Sequence, residues 1–271
     1  MLGEVSGHAP VAAIKRSDRA FIVGLILLIA ALAWAYLVHL DGRMRSSMES
    51  AAAMEAMGMS MQTRWGAADV LFAFIMWAVM MIGMMTPAAL PVLLLFARMR
   101  AGREPLDATT YGVTPAVLLF GVGYLAVWIA FSAGAALAQW ALHDAALLSS
   151  GMAAASTRVG GAILIAAGAY QLTPAKRACL AHCQSPLGFL LANWRDGRLG
   201  AVQMGFRHGI YCLGCCWALM GVLFAVGVMN LAWVAVLSAF VLLEKAGPVG
   251  ALVARTGGAA LLVFGVYVLL R

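Results

Sequence analysis

Charge is what this chain has least of. Of its 271 residues only 11% are Asp, Glu, Lys or Arg, against 64% hydrophobic, and its mean hydropathy is +0.93. A soluble globular domain carries about a quarter charged residues, so that class is excluded and a polytopic membrane protein is expected. There is also no glycine-rich phosphate loop between strand and helix, no serine-triad pattern and no ATPase motif. These absences leave an enzyme as the less expected class. Cysteine is sparse too: the chain has 5, an odd number that argues against a secreted disulfide framework. The 18 Lys and Arg give a net charge of +7, yet they sit in short clusters between apolar runs, where the positive-inside bias accounts for them. A nucleic-acid partner is therefore not expected.

Apolar runs, in contrast, are plentiful. A spanning helix needs about 20 apolar residues, and seven stretches qualify: 20 to 40, 68 to 97, 113 to 139, 157 to 173, 204 to 226, 229 to 246 and 249 to 270. The expected fold is an all-α, polytopic transmembrane helical bundle of about seven spans, or six if the last pair is re-entrant across the short Lys245-Ala246-Gly247-Pro248 connection. The organisation reads as an N-terminal tail (1 to 19), a first span (20 to 40), an outer methionine-rich loop (41 to 67) and a membrane-embedded metal-binding domain (68 to 271). The first apolar stretch is longer than a signal-peptide core and is read as a retained span. A cytoplasmic N-terminus puts thirteen of the 18 basic residues inside and leaves Arg43, Arg45, Arg64, Arg158 and Arg271 outside.

Chemistry concentrates in residues 205 to 220, GFRHGIYCLGCCWALM. On a helix, residues three and four apart share a side, so His208, Cys212, Cys215 and Cys216 present four soft or borderline metal ligands to one sector. One buried Cys is an ordinary small hydrophobe. Three within five residues, with a His one turn before them in a span where a lone His is rare, point to metal binding or redox exchange. Cys212 lies five residues past Arg207, about 7 to 8 Å along a helix, which would leave the site within reach of the cytoplasm.

Methionine supplies the second pattern. Met76, Met80 and Met84 repeat at four residues in the second span, overlapped by Met81 and Met85, and Pro87 and Pro91 interrupt the helix after them. Met44, Met48, Met54, Met57, Met59 and Met61 crowd the first outer loop. Thioether sulfur suits Cu(I), although interfacial packing is the plainer role for such residues. The third and fourth spans, rich in Gly and Ala, read as scaffold.

After the fourth span, Thr173-Pro174 can open a short helix in which Cys179 and Cys183 are one turn apart with His182 beside them. That is a plausible half-site for a thiolate-bound metal, without the paired knuckles of structural zinc. Glu244 is expected to pair with Lys245, Arg207 or water.

In order along the chain, Met76-Trp77 through Met84-Met85, Pro87, Pro91, Tyr170-Gln171, Thr173-Pro174, Lys176, Cys179, Cys183, Cys212-Leu213-Gly214-Cys215-Cys216-Trp217, Gly227-Val228-Met229-Asn230, Trp233 and Glu244-Lys245 carry a resemblance. Over roughly residues 66 to 250 the chain resembles the bacterial family of predicted metal-binding integral membrane proteins, a domain of unknown function. The resemblance implies metal binding and a multi-pass location in the bacterial inner membrane; it names neither substrate nor direction.

The expected function is binding of a soft transition metal, Cu(I) first and zinc, Hg(II) or another soft metal next, for transport or for delivery to a membrane metalloprotein acceptor. The metal ligands would come from Cys212, Cys215, Cys216, His208, Cys179, Cys183, His182, Met76, Met80 and Met84. Alternatives are a membrane thiol-disulfide electron carrier, in which Cys212-Leu213-Gly214-Cys215 and the Cys179/Cys183 pair exchange electrons, and a structural assembly factor of a membrane complex.

Overall fold

The computed structural model describes residues 14–57, 65–102, 112–148, 154, 156–245 and 249–271. Among them are nine helices and no strand beyond a single Leu148–Ala154 bridge. The helices are α1 (Arg16–Ala56), α2 (Ala67–Ala101), α3 (Val113–Asp144), α4 (Thr157–Gln171), α5 (Pro174–Gln184), α6 (Pro186–Asn193), α7 (Gly197–Val226), α8 (Leu231–Lys245) and α9 (Gly250–Leu270). Every expected span is a helix. Five are long and apolar enough to cross a membrane: the Arg16–Ser46 part of α1, then α2, α3, α7 and α9. α4 and α8 have 15 residues each, or about 22 Å, short of the roughly 30 Å of a hydrocarbon core.

Local chemistry fixes several of the ends. Asp69 at the start of α2 accepts a hydrogen bond from the Gly66 amide at 2.8 Å, while Arg98 and Arg100 occupy its last turn, as the helix dipole favours. Ser156 caps α4 by accepting from the Val159 amide, and Thr173 caps α5 by accepting from that of Lys176, with Pro174 in the first turn. α7 stops at Gly227, whose φ of 101° is a conformation that glycine tolerates best. α1 continues past its apolar part to Ala56, so the methionine-rich stretch begins as helix rather than loop. Met59, Met61, Arg64, Arg103 and the 246–248 connection lie outside the described residues, as do the side chains of Met48 and Met54.

Neighbouring helices pack in the order α1, α2, α3, α7, α4, α9, α8, and α8 returns to α2, closing a ring. α5 and α6 lie against α7. Two seams of this ring are very close. A Cβ placed on Gly123 would collide with the Val202 carbonyl, and one on Gly205 with that of Phe120, so α3 and α7 meet backbone to backbone. The α4–α9 seam is built alike: a Cβ on Gly161 would sit 2.9 Å from the Gly265 carbonyl oxygen, and one on Gly168 2.8 Å from that of Gly258. Aromatic packing fills the space between α2, α3 and α7, where Trp77 and Trp128 are fully buried with Phe131 and Phe224 around them.

One level of the bundle is special. Tyr170, at the end of α4, donates to the Gly214 carbonyl at 2.5 Å; Lys245, at the end of α8, reaches Cys212; and a Cβ on Gly250, at the start of α9, would strike the Glu244 carbonyl. Two helix ends, those of α4 and α8, therefore converge on residues 212 to 214, the middle of α7, and the start of α9 packs on the end of α8. Tyr124 and Met85, near the middles of α3 and α2, stand at the same level. α4 can be short because α5 and α6 continue its course along the first half of α7, Phe189 packing on His208 and Asn193 accepting from Arg207. Irregular backbone inside a membrane bundle persists where protein or a polar site satisfies it.

Candidate functional site

All five cysteines gather at this level, and all are free thiols. Cys212, Cys215 and Cys216 of α7 are 0 to 1% exposed, whereas Cys179 and Cys183 of α5 are half-buried. The grouping follows from helical spacing: residues 212, 215 and 216 share one side of α7, and α5 lays its one-turn pair over that side. Cys183 Sγ is 4.0 Å from Cys215 Sγ, which is 3.2 Å from Cys216 Sγ. Cys179 rests on Gly214, where an added Cβ would be 2.7 Å from its sulfur. Burial pushes the Cys179 thiol above its ordinary pKa.

Cys212 is the most polar point of the group. Lys245 Nζ donates to its Sγ at 2.9 Å, and Tyr124 Oη is 3.1 Å from the same sulfur while donating to the Met85 carbonyl at 3.0 Å. The other two thiols of α7 turn back on their own helix, Cys215 and Cys216 both donating to the Cys212 carbonyl, at 3.1 and 3.0 Å. Among the described residues no three His, Cys, Asp or Glu side chains surround a common point as a formed metal site. The thiols are thus close to one another and engaged in local hydrogen bonds, so holding an ion would require rotating sulfurs about single bonds.

The histidines flank the thiols. His208, one turn before Cys212, is 4% exposed among Phe120, Tyr124 and Phe189, and its Nδ1 has no hydrogen-bond partner among the described residues. An orphaned buried nitrogen is costly, and its position beside the sulfurs suits a ligand role. His182 is stacked on Tyr211 at 4.1 Å, and its Nδ1 is engaged with the Ala178 carbonyl. Met76, Met80 and Met84 are all buried in α2. Their link to the thiols is indirect and passes from the Met85 carbonyl through the Tyr124 hydroxyl to Cys212. Met76 also lines a cavity of about 260 Å³ at the other end of α2, which Met44, Trp65 and Asp69 share.

Two expectations need correction. Glu244 pairs with neither Lys245 nor Arg207: its carboxylate takes Lys176 Nζ at 2.7 Å, with Gln171 bonded to both partners, and the pair is 0 and 1% exposed. Lys245, freed of that role, turns to Cys212. Along α7, Cys212 lies 15 residues, about 22 Å, after the start at Gly197. And α3 and α4 are more than scaffold, since Tyr124 and Tyr170 touch Cys212 and the Gly214 carbonyl. The tyrosines had one visible signal, a hydroxyl amid Gly and Ala in an apolar span, which needs a buried partner.

No curated protein and no solved structure matches the chain. Residues 74–268, which include every cysteine and the whole converging level, match a family described as PpoB2, copper chaperone. On that match, over more than half of its length, the chain belongs to the PpoB2 copper chaperone family.

Proposed function

We propose that this protein is a multi-pass inner-membrane protein that takes Cu(I) as cargo at its cysteines and transports it or hands it to a membrane-bound acceptor. The observation that carries this reading is the convergence of five free thiols on the level where α4 and α8 end against the middle of α7. Thiolate and thioether sulfur are the ligands that select Cu(I), and ionisable groups inside a membrane bundle mark ion sites more often than packing. Cys212, Cys215 and Cys216 would hold the ion, with His208 as an accessory ligand. Cys179 and Cys183, half-exposed on α5, suit the role of receiving or releasing it.

The methionines give the reading a direction. Met44 and Met76 meet in one cavity at the end of the bundle opposite α5, and with the N-terminus inside, that end faces outward. Thiolates bind Cu(I) more strongly than thioethers, so the order from Met44 and Met76 through α2 to the thiols favours inward delivery. The test is competition of the purified, reduced protein against a Cu(I) chelator. Close to one ion bound is expected, and unchanged affinity in a Cys212→Ser, Cys215→Ser, Cys216→Ser variant overturns the assignment.

A second reading has its own observation. Cys183 and Cys215, on different helices, bring their sulfurs to 4.0 Å, which suits a dithiol that exchanges with a partner disulfide. Such a carrier makes no use of the methionines. Copper-linked activity that depends on them separates the two.

A further inference from the structure

A second cavity, of about 380 Å³, opens beside α5 where α4 ends and α9 begins. Gln171, Lys176, Arg177, Gln184 and Arg255 supply its polar wall, and Leu180, Ala251 and Ala254 its apolar part. Lys176 is already neutralised by Glu244 at 2.7 Å. Arg177 and Arg255 have no acidic partner among the described residues, and both are exposed. Two uncompensated guanidinium groups thus share one cavity. Around its mouth the surface is apolar, with Leu172, Val249 and Leu252 exposed.

We propose that this cavity binds the phosphoryl headgroup of an anionic phospholipid. Guanidinium matches phosphate in charge and in its paired donors. Basic pockets between membrane helices are where such headgroups lodge, and an arginine on a lipid-facing surface is costly unless its charge is met. A free phosphate shares the charge chemistry, but only a lipid also uses the apolar mouth and the outward side chains of α9, where Val263, Phe264 and Val266 are exposed. The inference rests on the membrane reading of the chain and is independent of copper.

The experiment measures thermal unfolding of the purified protein in mild detergent while phosphatidylglycerol, phosphatidylcholine or inorganic phosphate is titrated in. Phosphatidylglycerol is expected to stabilise the wild type more than phosphatidylcholine does, with little effect of phosphate. An Arg177→Gln, Arg255→Gln variant should bind phosphatidylglycerol on the order of 30-fold more weakly, the scale set by two basic residues. Arg158→Gln, Arg271→Gln, which removes the same charge at the opposite end of α4 and α9, should respond as the wild type does. Equal responses to the two lipids in the wild type overturn the proposal whatever the variants do. So does an equal loss in both double variants, which reports net charge alone, and so does a full effect from inorganic phosphate, which makes the cavity a simple anion site.

Discussion

Replacing Lys176 by Met should unfold this protein far more readily than its neutral replacement suggests, and replacing Glu244 by Leu as well should restore much of the loss. At the 2.7 Å separation of Lys176 Nζ and Glu244 Oε2, an effective dielectric of about 20 gives an attraction of about 6 kcal/mol. Stripping water from each ion costs several kcal/mol, so the pair as a whole is close to neutral in stability. Removing one partner is another matter. Lys176→Met leaves the Glu244 carboxylate, 1% exposed, with only the Gln171 amide at 2.8 Å, and an uncompensated buried charge of this kind costs about 3 to 5 kcal/mol. The double variant removes both charges and should lie within about 1 to 2 kcal/mol of the wild type, a coupling of at least about 4 kcal/mol. Reversible unfolding in mixed detergent and SDS micelles, followed by circular dichroism, measures all four corners of the cycle. Single variants that each lose less than about 1 kcal/mol, or a double variant that loses the sum of the two, would refute the reasoning.

Replacing Met76, Met80 and Met84 by Leu preserves volume and should cost less than about 1.5 kcal/mol per site, yet copper accumulation or delivery should fall while the cysteines still bind Cu(I) in vitro; full copper-linked activity in that variant would leave α2 as packing. A membrane-impermeant thiol reagent should label Cys179 and Cys183 in inside-out vesicles and not in right-side-out ones, and reversed labelling overturns the orientation. Because burial raises the Cys179 thiol, its neutral form persists to higher pH, and its alkylation rate should still be climbing at a pH where that of a small free thiol has levelled off.

The helices were legible because apolar length is a local property of the sequence. Thr173-Pro174 announced α5, and its cap and first-turn proline are in place. The gathering of Cys212, Cys215 and Cys216 was legible for the same reason, as three positions on one helical side. What was not legible depends on which helix ends meet in space. Glu244 and Lys176 are 68 residues apart, Lys245 and Cys212 33 apart, and a glutamate next to a lysine in sequence offers a nearer partner that the end of α8 rules out.

The two glycine seams have a mechanical consequence. Where α3 meets α7 at Gly123 and Gly205, and α4 meets α9 at Gly168 and Gly258, main chain lies on main chain with no side chain between to tilt or shear. Each pair behaves as one stiff plate, since rolling either helix would drive a carbonyl into its neighbour. The joint between the plates runs along the middle of α7, where α4 reaches it through the Tyr170 hydrogen bond to Gly214 and α5 through Cys179, Cys183 and the His182–Tyr211 stack. The α7 sulfurs are thus covered by α5, and exposing them requires α5, with Cys179 and Cys183, to part from α7 across residues 212 to 216.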